Sequence, residues 1–221
     1  MVVKRRYDSV HRQEQARMTR GAILAAAARL FVDPGYAATP LTAVAAEAGV
    51  AVQTVYKVFG TKKALLSDLI DVTIAGDDEQ VPLARRQFVD DIRALTDPRA
   101  MLERYARHLT EVQARQAAVM VALAGAATAD PEAAVIWRKN QEERRNGMSM
   151  FAADLAATGG LRPELSADRV VDVLWLAMDV RNYDYLVREQ GWSAEEFQGW
   201  YVDTVAAAIL AEPATAAGSP A

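Results

Sequence analysis

The apolar positions of this chain recur at helical spacing almost from end to end. Between Arg12 and about Val32 they are Ile23, Ala27, Leu30 and Phe31, and Pro34-Gly35 ends the segment. Thr39 is expected as an N-cap with Pro40 at the first helical position. Leu41, Val44, Ala45 and Ala48 then line a short helix that Gly49 closes. A second short helix is predicted from about Val52 to Phe59, with Val55 and Phe59 inward. Gly60 stops it, Thr61 caps the next helix, and Ala64, Leu65 and Leu69 carry that one onward. Longer helices are predicted over 82–96, 98–126, 132–158, 167–189 and 193–211. They are separated by Asp97-Pro98, Asp130-Pro131, Gly159-Gly160 with Pro163, and Gly191. Ser193 with Glu196 reads as a capping box. Strand-favouring runs are few and alanine is abundant, so the predicted fold class is all-α.

Composition removes several functional classes. There is no cysteine, which excludes disulfide frameworks and thiolate metal or redox chemistry. Lys4, Arg5 and Arg6 are not followed by an apolar segment, so no secretory leader is expected. The longest uncharged apolar run, from Ala117 into the 120s, is far short of the roughly 20 residues a bilayer requires. A cytoplasmic protein without a membrane partner is the expectation. With only His11 and His108 there is no clustered imidazole set, and no glycine-rich phosphate loop or nucleophile elbow occurs. No catalytic residue, metal or cofactor is therefore expected, and Asp90-Asp91 and Glu142-Glu143 read as solvated helix faces.

The net charge of −4 argues against a nucleic-acid partner until it is divided by position. Up to Lys63 there are ten basic and four acidic residues, a net +6, which leaves −10 on the remainder. A basic head on an acidic body suits phosphate contact by the head. Two short helices separated by Gly49-Val50 have the size of a helix-turn-helix, whose second helix enters the major groove. On that second helix Val52, Gln53, Thr54, Tyr56 and Lys57 face away from the Val55/Phe59 side. They mix groups that can read base edges and hold phosphates. Lys62 and Lys63 stand in the first turn of a helix, where the macrodipole disfavours cations unless an anion joins them.

The run from Thr39 to Leu66, with Ala-x-Glu-Ala-Gly-Val, Thr-Val-Tyr-x-x-Phe and Thr-Lys-x-x-Leu, resembles the DNA-binding domain of the tetracycline-repressor (TetR) family. Ile23-Leu24, Ala27, Leu30-Phe31 and Gly35-Tyr36 look like that family's first helix. The resemblance spans about residues 15–70 and implies DNA contacts from Thr42, Val52, Gln53, Thr54 and Lys57, with Tyr56 and Lys62 on phosphates. Ala51 and Val58 depart from it, standing where a capping serine and a phosphate-contacting histidine are usual. The implied organisation is a flexible basic arm over 1–14 and a three-helix DNA-binding domain over 15–63. A helical ligand-binding and dimerisation domain over 64–211 and a disordered tail over 212–221 complete it.

Within 64–211 a stripe of Phe197, Trp200, Tyr201, Val205 and Ile209, together with Leu174, would either close a monomer core or, as the resemblance implies, form a homodimer interface. Met101, Tyr105, His108, Trp137, Phe151, Trp175 and Met178 would either be plain core or, as the resemblance implies, line a pocket for a small, largely apolar effector. The expected function is a repressor released by that effector from a palindromic site on double-stranded DNA. An activator, or a regulator without a ligand, fits the same residues. A helical protein-interaction module leaves Lys62, Lys63 and the polar helix face without a purpose.

Overall fold

The computed structural model describes residues 2–76 and 86–212, with the backbone alone for 2–10. Among these residues the regular elements are helices: α1 (Val2–Leu30), α2 (Leu41–Glu47), α3 (Val52–Phe59), α4 (Lys62–Ala75) and α5 (Gln87–Arg93). They continue with α6 (Pro98–Ala126), α7 (Pro131–Ala157), α8 (Ala167–Ala177), α9 (Val180–Tyr183) and α10 (Ala194–Ile209). The stretch expected as an arm is helical from Val2 onward. Residues 82–85 of the predicted fifth helix, and 213–221 of the predicted tail, lie outside the described residues. No helix among the described residues is long and apolar enough to cross a membrane.

Two compact units divide the chain, one of residues 1–74 with 118–137, the other of 75–117 with 138–221. The first has Ile23, Ala26, Ala27, Phe31, Val44, Val55, Leu65 and Leu66 fully or almost fully buried. Its α2 ends in a Schellman arrangement. Gly49 takes φ +67°, Val50 N–H donates to the Ala45 carbonyl at 3.0 Å and Gly49 N–H to that of Ala46 at 3.1 Å. A side chain at position 49 would strain that backbone, which explains the glycine between α2 and α3.

Thr39 does not cap α2. Pro40 occupies the cap position, and the Thr39 hydroxyl, 1% exposed, donates to the carbonyls of Leu30 and Gly35, both at 2.8 Å. It therefore closes the end of α1 over the turn that follows, rather than opening the next helix. Thr61 does cap its helix, accepting from Ala64 N–H at 3.0 Å.

In the second unit, α8 and α10 pack together over Val170, Leu174, Phe197, Tyr201, Val205 and Ile209. The predicted helix over 167–189 breaks at Met178 and Asp179, where Asp179 adopts an extended conformation and caps α9. No proline or glycine forces this. Side chains take the released carbonyls instead: Arg144 donates to that of Trp175 at 3.4 Å and Asn182 to those of Leu176 and Ala177 at 3.0 and 3.2 Å. Gln113 donates to the Met178 carbonyl at 2.9 Å. After Tyr183 the chain widens into a π-type turn over 184–189, and Ser193 with Glu196 makes the expected capping box on α10. Arg162 closes the far end of α10, donating to the carbonyls of Leu210 and Ala207 at 3.0 and 2.9 Å.

Thr39→Val keeps the shape of this buried residue and removes one donor shared by two carbonyls. It should cost about 1–2 kcal/mol, read as a lower urea midpoint with an unchanged slope. A wild-type midpoint would show that the hydroxyl contributes nothing.

Candidate nucleic-acid interface and ligand core

An eight-residue helix has one face to bury, and α3 buries Val55 and Phe59 (0% and 7% exposed). The Arg20 guanidinium lies 4.9 Å from the Phe59 ring centroid and pairs with Asp68 at 2.9 Å. The opposite face carries Gln53, Tyr56 and Lys57, all exposed, flanked by the half-buried Val52 and Thr54. Thr42, in the first turn of α2, is exposed as well. The sequence-predicted reading set is thus presented together on two consecutive helices. Ala51 stands at the N-cap of α3 and supplies no side-chain hydrogen bond, and Val58 is 39% exposed with no polar atom to offer.

Lys62 stands in the first turn of α4, as expected, and is engaged within the chain. It is half-buried, with its ammonium 4.3 Å from the Tyr36 ring centroid and donating to the Ala37 carbonyl at 3.3 Å. Burial lowers its pKa, while Asp130 and Glu132 act in the opposite direction. The same two carboxylates and burial, burial foremost, raise the Tyr36 hydroxyl to about 12. The anionic partner sought for a cationic first turn is therefore partly supplied by the chain itself, through a ring face, a carbonyl and two acidic residues on or beside the start of α7. Lys63 remains exposed.

The predicted ligand-lining residues separate into two groups. Trp137 belongs to the first compact unit; Met101, Tyr105, His108, Phe151, Trp175 and Met178 belong to the second. Tyr105 stacks on Phe151 at 4.8 Å, lies 5.8 Å from Tyr201 and donates its hydroxyl to Met178 Sδ at 3.6 Å. Met101 is buried close by in sequence, on the same helix. His108 stacks on Phe88 at 3.6 Å. Burial, then the cationic Arg115, Arg104 and Arg86, push its pKa from 6.5 down to about 4, so the ring is neutral near pH 7.

Five of the six predicted interface residues, Leu174, Phe197, Tyr201, Val205 and Ile209, have no exposure in the single chain. They close the protomer's own core, which was the other reading of that stripe, and only Trp200 of the set is partly exposed. The aromatic stripe turned inward because α8 and α10 pack on each other through it. Sequence reasoning also missed a set of buried polar groups in the second unit: Gln113, Asn140, Gln141, Arg144 and the Tyr201 hydroxyl. The signal was present. Ile136, Asn140, Arg144 and Met148 repeat every four residues, which places an amide and a guanidinium within an apolar stripe.

The described residues are helical, and a polar α3 face beside α2 gives the N-terminal unit the layout of a helix-turn-helix domain. Residues 23–69 match the family described as bacterial regulatory proteins, tetR family. The match covers the N-terminal domain, about a fifth of the chain. No curated protein sequence matches it. Among solved structures it shares its fold with the ketosteroid transcriptional regulator KstR2 of Mycobacterium tuberculosis. That match has a TM-score of 0.60 and 20% identity, covering 87% of this chain and 95% of that one. The fatty acid degradation regulator FadR from Bacillus halodurans has a TM-score of 0.63 and 17% identity over 84% and 93%. A transcriptional regulator from Saccharomonospora viridis, solved in complex with choline, has 0.63 and 20% over 87% and 98%.

Because His108 titrates lower in the folded chain than unfolded, the unfolded state binds more protons between pH 6.5 and about 4. Its contribution is complete above pH 6.5 and is lost as the pH falls toward 4. The loss should be on the order of 1–2 kcal/mol once solvent screening of the half-buried ring is allowed for. Urea melts at pH 7.5 and 5 should show a smaller difference for His108→Gln than for the wild type. Equal differences would contradict the assignment.

Proposed function

We propose that the chain is a homodimeric cytoplasmic repressor that binds a palindromic operator and leaves it when a small effector binds the second unit. The observation that carries the DNA reading is the exposure of Gln53, Tyr56 and Lys57 on the face of α3 opposite the buried Val55 and Phe59. Gln53 suits an adenine edge, Lys57 a guanine or a phosphate, and Val52 a thymine methyl. Thr42 and Tyr56 set the register on the backbone. Lys62 joins a phosphate by leaving Tyr36 and Ala37.

Two reading heads meet successive major grooves only when held about 34–36 Å apart, which supports a dimer. The available surface is the outer side of α8 and α10. Leu176 is 64% exposed there, Thr204, Ala207 and Ala208 are exposed, and Trp200 lies at its margin. The interface proposed here therefore uses Trp200 with these residues in place of the buried stripe. An effector is supported by the choline bound to the similar regulator and by the polar groups inside the second unit.

Selection from random DNA should return an inverted repeat, with binding that weakens steeply as salt rises. Gln53→Ala should relax base choice at one position of each half-site, whereas Lys57→Ala should weaken binding by about 1–3 kcal/mol. Failure to enrich any sequence would refute specific recognition.

Leu176→Asp should yield a folded monomer by light scattering with at least about a tenfold loss of operator affinity. A dimer of wild-type strength would remove this face from the interface.

A further inference from the structure

We propose, building on the effector reading above, that the effector is an organic monocarboxylate with a flat apolar body and a hydrogen-bond donor at its far end. It would bind around the break between α8 and α9. The break fixes the orientation of two buried amides. Gln113 donates Nε2 to the Met178 carbonyl at 2.9 Å, so the oxygen it has left is an acceptor. Gln141 accepts at Oε1 from Arg144 at 2.7 Å, so what it has left is the Nε2 donor. Both remaining atoms are buried without a protein partner, as are Trp175 Nε1 and the Tyr201 hydroxyl. Gln113 and Tyr201 are 1% and 0% exposed. A buried polar atom without a partner is costly, and such atoms cluster where a ligand or an ordered water completes them.

These groups fall into two sets joined by Met178-Asp179. The first is built on Arg144, whose side chain is 13% exposed. Its guanidinium holds Gln141 directly and lies 5.6 Å from the Trp175 ring. The free polar atoms of Gln141 and Trp175 are both donors. The nearest carboxylate to Arg144 is Asp179 at 3.7 Å, and Asp179 is already gripped at both oxygens by Arg181 at 2.8 and 3.0 Å. Burial lowers the Arg144 pKa, as expected of a charge incompletely compensated. One surplus positive charge with planar donors suits a carboxylate, which is flat and singly charged, better than a tetrahedral dianion.

The second set is Gln113 Oε1 and the Tyr201 hydroxyl: Gln113 is held on the Met178 carbonyl, and the Tyr201 ring lies 5.8 Å from Tyr105, which stacks on Phe151 and donates to Met178 Sδ. It offers an acceptor and a hydroxyl among rings and a thioether, which suits a phenolic hydroxyl on a flat body. This sharpens the largely apolar effector that the family resemblance implies: an apolar body with two defined polar ends.

The test uses the full chain with 4-hydroxybenzoate, benzoate, methyl 4-hydroxybenzoate and choline, followed by thermal shift, calorimetry and release from the selected operator. The hydroxy acid should raise the melting temperature and bind at least about tenfold tighter than its methyl ester. Trp175→Phe, which removes one donor and keeps a ring, should weaken the acid several-fold and leave the ester unchanged. Gln113→Leu should abolish the preference for the hydroxy acid over benzoate. Equal binding of acid and ester overturns the proposal. So does a crystal structure of the soaked protein with ordered water alone on these atoms. Operator release by choline or the ester but not by the acids also overturns it while leaving the effector reading intact. No shift and no release by any of the four removes both.

Discussion

The N-terminal domain depends on anchoring a helix too short to stand alone. Eight residues fall short of the roughly 12–15 that an isolated helix needs, and the hydrogen bonds of α3 would not hold it in water. Val55 and Phe59 supply the missing free energy by entering the core. Arg20 then seals Phe59 from above while held by Asp68, so one guanidinium on α1 ties α3 to α4. Fixing the inner face fixes the outer one. With both anchors seated, Gln53, Tyr56 and Lys57 have little choice of direction, and that preset direction is what the proposed DNA contact would use.

The second unit applies the reverse principle, since it contains polar groups where apolar ones would pack more easily. The α8–α9 break releases four carbonyls, and Gln113, Arg144 and Asn182 reach them from neighbouring elements. In doing so Gln113 commits its Nε2 and leaves its Oε1 buried without a protein partner. A break without proline or glycine, sustained by side chains from α6 and α7, concentrates hydrogen-bonding capacity in a place where the protein alone does not use it.

Periodicity made most of the helical layout legible. The limits of α3 and α6 agree with expectation to the residue, and α10 starts at its predicted capping box. Capping chemistry was less legible, because a threonine before proline fits an N-cap as well as it fits a clasp on the preceding helix. Thr39 is the latter. The α8 break could not be read because its causes lie 31 and 65 residues away, in Arg144 and Gln113. The direction of the aromatic stripe on α10 was equally hidden: amphipathicity reports that a face is covered, but not whether the cover is the same chain or another. For the exposed face of α3 the local pattern was sufficient, since Gln53, Tyr56 and Lys57 lie opposite the Val55 and Phe59 anchors of the same short helix.

Lys62 was expected to await a phosphate, yet it already has an address on Tyr36, Ala37 and the field of Asp130 and Glu132. In the proposed complex, DNA competes for this ammonium with ligands the protein itself provides. The gain on docking is then a difference between two occupied states, and fewer solution ions are exchanged than a freely hydrated lysine would release. Substitutions at the corner that starts α7 would shift that difference without touching a base or a phosphate. Affinity for DNA and choice of sequence can thereby be adjusted separately, the first at Asp130 and Glu132 and the second on α3.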